Sequence, residues 1–158
     1  DATVAHSVAH ADALWSAREN ISEAQRREGP NLKHDISLPV SSIPGFLVDA
    51  ERALAQAIPG VRVVVFGHLG DGNLHYNLSA PEGTSNEAFV APAMLERAQH
   101  IVHDLVRARG GSISAEHGIG QLKRRELART KAPLELAIMR RIKAALDPAG
   151  ILNPGKVL

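Results

Sequence analysis

Val61-Arg62-Val63-Val64-Val65-Phe66-Gly67-His68-Leu69-Gly70-Asp71-Gly72-Asn73-Leu74-His75-Tyr76-Asn77-Leu78-Ser79 is the stretch on which the fold turns. Val61 to Phe66 is β-branched and apolar, the composition of a central strand. Gly67 to Asn73 is a glycine-rich turn, and Leu74 to Ser79 reads as a second strand. Asp71-Gly72 is a favoured two-residue type I′ loop. That loop pairs 70 with 73, 69 with 74 and 68 with 75. His68 and His75 then sit opposite each other on one face, with Cβ atoms about 5 Å apart. This is bite distance for one metal ion, and Asn77 shares the face. Two cross-strand histidines also occur as a packed or hydrogen-bonded pair, and two imidazoles do not complete a metal site. A slip of one residue would separate them.

Working outward, Ala11 to Arg27 has helical spacing, with Leu14, Trp15, Arg18, Ile21, Ser22 and Gln25 on one stripe. Gly29-Pro30 ends it. His34 to Pro39 alternates with period two, as a short strand does. Ser41, Ser42 and Pro44 open a helix whose inward face is Ile43, Leu47, Ala50, Leu54 and Ile58. Beyond a loop at 81–92, a long helix turns Met94, Ala98, Ile101, Val102, Leu105 and Val106 inward and stops at Gly110-Gly111. Ser112 to Ala115 is a further expected strand, and Gln121 to Arg129 a short helix. Pro133 starts a last helix with Leu134, Ile138, Ile142 and Leu146 on its inward stripe. The middle of the chain thus runs βαββαβ. This is the ferredoxin-like α+β pattern, an antiparallel sheet with helices on one face, and extra helices flank it at both ends.

Composition bounds the chemistry. A chain of 158 residues can bury one sizeable core. Eighteen Lys plus Arg against 17 Asp plus Glu leave a net charge of +1, which argues against a nucleic-acid partner. The absence of Cys excludes disulfides, thiolate nucleophiles and iron–sulfur clusters. No apolar run approaches the roughly 20 residues of a transmembrane helix. No signal-peptide pattern is read at the N-terminus, so a cytoplasmic location is expected, with peripheral contact to a membrane open to the full-length protein. The outlier is His, at 8 residues.

Ser114-Ala115-Glu116-His117-Gly118-Ile119-Gly120 is the second chemistry-bearing segment. Glu116 and His117 are expected to end a strand, pointing to opposite sides, one toward a ligand and one toward a reacting group. An ordinary Glu-His pair in a solvated loop is the alternative. Arg18 and Ser22 share a helix face, and Lys33 follows the Gly29-Pro30 break. An anionic substrate would explain an inward Arg and a Lys brought together, and so would a structural partner such as Asp35 or Glu19. Neither glycine-rich segment is followed by Lys-Ser or Lys-Thr, and the Gly67 loop precedes a strand where a phosphate loop requires a helix. Lys123-Arg124-Arg125 reads as a solvated face.

Three segments together resemble the C-terminal domain of FAD-linked oxidases. They are Gly67-His68-Leu69-Gly70-Asp71-Gly72-Asn73-Leu74-His75, Ser114 to Gly120, and Leu146-Asp147-Pro148-Ala149-Gly150-Ile151-Leu152-Asn153-Pro154-Gly155-Lys156. The last belongs to a closing motif at 147–158. The family includes flavin-dependent D-2-hydroxy-acid dehydrogenases of the D-lactate, glycolate and D-2-hydroxyglutarate types. The resemblance implies a bipartite enzyme in which 1–158 is the substrate and cap domain and an N-terminal domain holds FAD. It implies that His68, His75 and Glu116 bind a divalent metal such as zinc or manganese, and that His117 is the catalytic base. Arg18, Ser22, Lys33 and Asn77 match substrate-holding positions, with Ser22 where Thr is usual. The implied partners are a small 2-hydroxy acid, the chain's own FAD domain, an electron acceptor and, in one assembly, a second copy. The chain alone is then expected to be colourless and inactive. A flavin-independent metal hydrolase or lyase and a non-catalytic binding module are the competing readings.

Overall fold

The computed structural model describes residues 3–158. Its centre is an antiparallel sheet of β1 (Leu32–Ser37), β2 (Arg62–His68) and β3 (Asn73–Ser79), in the order β1-β3-β2. Two helices, α3 (Ile43–Ala57) and α5 (Pro92–Arg107), lie across one face. Strand alternation divides the sheet. Ile36, Leu74, Tyr76 and Leu78 meet Phe46, Ala50 and Leu54 of α3 and Ala98, Val102 and Val106 of α5 in the core. Lys33, Asp35, His75 and Asn77 carry the polar chemistry of the opposite face, which is the face that matters here.

The α+β architecture matches the sequence pattern, and its details differ where local signals compete. The β2–β3 connection is not the two-residue loop expected from Asp71-Gly72. Leu69–Asp71 forms a 3₁₀ turn, closed by Gly72 at φ +74°. Asp71 accepts from the Asn73 N–H at 3.0 Å, an Asx turn that competes with the hairpin loop. Leu38 O lies 2.0 Å from where a Cβ on Gly72 would sit, so only glycine fits. His68 therefore pairs with Asn73, and His75 with Phe66. The register is shifted by two residues, an even number, so His68 and His75 keep the same face.

The expected fourth strand at Ser112 to Ala115 contracts to one bridge, Ser37 to Ser112, beside β1. Beyond it the Ala115 N–H is shared between the Asp35 backbone carbonyl and the Asp35 carboxylate, and the N–H groups of Glu116 and His117 turn to the carboxylate instead of continuing a ladder. The first expected helix is two, α1 (Val8–Glu19) and α2 (Ile21–Glu28), which meet at Asn20. Of the stripe expected to face inward, only Gln25 is buried, while Leu14 and Trp15 are exposed. A short α4 (Asn86–Phe89) lies in the expected loop, and α6 spans Arg124–Thr130. The final helix, α7 (Pro133–Leu146), buries Leu136 and leaves Leu134, Ile138, Ile142 and Leu146 exposed. Periodicity finds an apolar face but does not say which body covers it.

Behind the sheet, His34 of β1 and His103 of α5 are fully buried, with ring centroids 5.7 Å apart. His34 Nδ1 is hydrogen-bonded to Tyr76 O, and His103 Nδ1 to Glu126, which also takes two bonds from Arg129. Burial, with His103 adjacent, pushes the His34 imidazole down to about 4. The folded form therefore binds fewer protons than the unfolded one between about pH 4 and 6.5, and stability falls as pH drops through that window. Urea unfolding should show a loss of up to about 3 kcal/mol from this group between pH 7 and 4. His34→Leu should flatten that slope, and an unchanged slope would place the titration elsewhere.

Candidate functional site

The polar sheet face owes its chemistry to period two. Lys33 pairs with Asn77 and Asp35 with His75 across β1 and β3, while His75 lies beside Phe66 and diagonal to His68 across β2. These side chains share one surface. Residue Gln25 of α2, with Ser22 above it, and the segment at Glu116 and His117 wall that surface into a cavity of about 270 Å³. Arg18 stands at the rim with its guanidinium 5.7 Å from the centre of the Phe66 ring.

Asp35 organises the cavity floor. Only 3% of it is exposed. Its Oδ2 accepts from the backbone N–H of Glu116 and His117 at 2.8 Å each and of Ala115 at 3.2 Å. Its Oδ1 accepts from the Asn73 amide at 2.9 Å. Burial alone would raise its carboxyl. The N–H donors of His117 and Glu116 and the Asn73 amide outweigh that and hold it below its ordinary value, so it is ionised. Lys123 braces the same segment from below, donating to Ile113 O and Ser114 Oγ. The basic run is thus not wholly a solvated face, because Lys123 is half-buried.

This clamp corrects the expectation for Glu116 and His117. The segment is a bend, so both side chains lie beside His75 instead of on opposite sides of a strand. Glu116 Oε1 is 3.5 Å from His68 Nδ1, and Oε2 is 3.8 Å from His75 Nε2. Two donors each about 2.1 Å from a tetrahedral ion sit about 3.4 Å apart, so these separations suit ligands better than hydrogen bonds. The other nitrogen of His75, Nδ1, faces Asp35 Oδ1 at 3.8 Å, the placement of an orienting carboxylate behind a ligand. Burial keeps His75 below its ordinary range despite Asp35 and Glu116, which favours the neutral imidazole a metal needs. His117 stacks on His75 at 5.8 Å with its ring largely exposed to the cavity mouth, and its Nδ1 is 3.9 Å from Asp35 Oδ2.

Among the described residues, the group whose ligand atoms all lie within 4.8 Å of one another is Asp35, His75 and His117, not the expected His68, His75 and Glu116. Asp35 is the weaker ligand candidate of that group, because its oxygens already take four donors. In the expected set, Glu116 offers a different oxygen to each imidazole, 3.5 Å from His68 and 3.8 Å from His75, so the two rings would have to draw closer to share one divalent ion.

Arg18 and Lys33 have no carboxylate within ion-pair distance among the described residues. Asp35 and Glu19, the alternative partners, are not used by either cation. Ser22 is exposed at the cavity wall, and Asn77 donates to Gln25 at 2.7 Å. All eight residues singled out in the sequence therefore gather around one sheet face. Asp35, Asn73, Gln25 and Lys123 were not assigned to the site from sequence. Asp35 and Asn73 carried the signal of period two, with Lys33 and His75 respectively, and Gln25 shares the stripe of Arg18 and Ser22; nothing local marks Lys123.

Comparison with known proteins gives the family. The pattern of the family described as FAD linked oxidases, C-terminal domain, matches residues 1–157. D-2-hydroxyglutarate dehydrogenase of Xanthomonas citri pv. viticola is 43% identical over 157 residues, covering 99% of this chain and 33% of that protein. The protein of the same name from Stutzerimonas stutzeri is 38% identical over 157 residues, again 99% of this chain and 33% of the relative. The mitochondrial D-2-hydroxyglutarate dehydrogenase of Danio rerio is 42% identical over the whole chain, covering 28% of its length. The chain thus spans a third or less of these relatives. No helix among the described residues is long and apolar enough to cross a membrane. Matched by that family's pattern over residues 1–157 and 38–43% identical to these three relatives, the chain belongs to the C-terminal domain family of FAD-linked oxidases.

Proposed function

We propose that this chain forms the substrate and metal side of a flavin-dependent dehydrogenase that oxidises a 2-hydroxy acid to a 2-oxo acid. The observation that carries the reading is the make-up of this cavity. His75, Glu116 and His117 line it together with Lys33, and Arg18 stands over Phe66 beside His75, neither cation having a carboxylate partner among the described residues. A 2-hydroxy acid with a second carboxylate spans such a site. The names of the relatives support D-2-hydroxyglutarate as that acid. Within a longer polypeptide the FAD is held by an N-terminal domain, which this chain covers, and a homodimer is compatible with the exposed apolar stripe of α7.

His68, His75 and Glu116 would hold the divalent ion, zinc or manganese, which would lower the proton affinity of the substrate hydroxyl. FAD, held mainly by the N-terminal domain, would supply the two-electron oxidant that the conversion at C2 needs. His117 takes the hydroxyl proton, and its exposure at the cavity mouth leaves it free to pass that proton to water. Arg18 and Lys33 pair with carboxylate oxygens, Ser22 offers a hydroxyl, and Asn77 fixes the wall between them. Asp35 acts through the backbone, holding Glu116 and His117 at the working positions.

In the flavin-loaded parent protein, His117→Ala should slow flavin reduction by roughly 10²–10⁴-fold while metal content stays near normal. His68→Ala should lose metal and activity together. Rapid-reaction flavin reduction alongside metal analysis separates the two, and a His117→Ala protein that reduces flavin at the parent rate removes the base assignment. If metal titration leaves the His68 and His75 imidazole signals unmoved, the ligand assignment goes instead.

Asp35→Asn sets two amide donors against each other at Asn73 and weakens the clamp on the bend. Hydrogen exchange at 115–117 should accelerate by at least about tenfold, and zinc affinity should fall by about 10–100-fold, the usual effect of a lost orienting carboxylate. The exchange swap Asp35→Asn with Asn73→Asp restores the amide–carboxylate bond and should recover stability without recovering metal affinity. Recovery of both would make Asp35 a purely structural residue.

A further inference from the structure

We infer that Gln25 is a substrate-contacting residue that helps select an acid with a second carboxylate. The inference rests on the reading of this cavity as a 2-hydroxy-acid site and adds to it a specificity determinant. Gln25 is the only buried residue of α2, 6% exposed, and its side chain borders the cavity between Lys33 and Asn77. Its carbonyl Oε1 accepts from Asn77 Nδ2 at 2.7 Å, which turns the amide so that Nε2 faces away from the strand. That Nε2 is buried and has no hydrogen-bond partner among the described residues.

A buried amide donor without an acceptor is uncommon in a folded protein, because it forgoes the bond it made with water. Here the cost falls at a position where an incoming oxygen can remove it. The neighbours decide the sign of that oxygen. Lys33 makes this part of the cavity cationic, so the group that enters is an anion and an acceptor. Gln25, Lys33 and the Ser22 hydroxyl then line the cavity as one set of donors. A carboxylate uses such a set with both oxygens. A methyl group at the same place leaves the amide unpaired, and sites that hydrogen-bond a substrate group reject analogues lacking it more strongly than apolar pockets do. The amide contributes no charge, so it discriminates by geometry where Lys33 attracts by field.

Two variants and one direct readout test this in the flavin-loaded parent protein. Gln25→Glu keeps an oxygen for Asn77 and replaces only the donor. Gln25→Met removes both without adding charge. Calorimetric binding of D-2-hydroxyglutarate should weaken about tenfold or more in each, as for a lost hydrogen bond to a charged group, while D-2-hydroxybutyrate, which has a methyl in place of the distal carboxylate arm, binds as in the parent. In the parent, the Gln25 side-chain amide proton should shift downfield on titration with D-2-hydroxyglutarate and stay in place with D-2-hydroxybutyrate. Unchanged D-2-hydroxyglutarate affinity in both variants overturns the inference and leaves the reading of the site intact. Equal weakening for both acids also overturns it, assigning Gln25 to the cavity wall alone. A parent chain that does not favour the dicarboxylate overturns the reading beneath, and the inference falls with it.

Discussion

The site depends on one buried carboxylate. Asp35 sits in the middle of a sheet face, where an unpaired charge would be costly, and takes its compensation from backbone N–H groups of a segment 80 residues away. The arrangement binds the two in both directions. The sheet tolerates the charge because the bend supplies donors, and the bend holds its shape because the charge fixes three successive amides. Everything that could do chemistry at this end, Glu116 and His117 above all, is hung from that contact. The same contact explains why the fourth strand of the fold is reduced to a bridge, since the amides that would extend the ladder are already committed.

The two faces of the sheet show how a small domain separates stability from function. The inner face is aliphatic and aromatic, and burial lowers the proton affinity of its two histidines, each held through Nδ1 by a single hydrogen bond. The outer face concentrates ionisable groups whose needs the protein leaves partly unmet. Imidazole nitrogens face a carboxylate at distances too long for a good hydrogen bond, and among the described residues two cations stand without counter-ions and the Gln25 amide lacks an acceptor. Such residual demand is what a bound ion and an anionic substrate satisfy, and it places the functional face on the open side of the sheet.

Much of this was legible in the chain. Alternation in Leu32–Ser37 and Asn73–Ser79 determines which side chains share a face, because the side-chain period of a strand is two. The face survives a register error of two residues, which is why His68 and His75 come together although Asn73, not His75, lies opposite His68. Helical spacing marked α3 and α5 and their buried residues for the same local reason. The motifs around His68, Glu116 and the tail identified the family, since they carry residue identity and order independently of geometry.

Tertiary structure decided the rest, because it depends on which distant groups satisfy one another. Nothing near Asp35 in sequence announces that its partners are the amides of 115–117, and no period predicts a bend that such a partner imposes. Nor does the apolar stripe of α7 announce that it faces outward, since an amphipathic helix specifies only that one face avoids water. Gln25 shares its stripe with residues that turned out exposed, and only the meeting of its carbonyl with Asn77 singles out its free N–H. Sequence determined the residues and the faces they occupy; the pairing of buried polar groups across the fold, a long-range condition, determined which of them became a site.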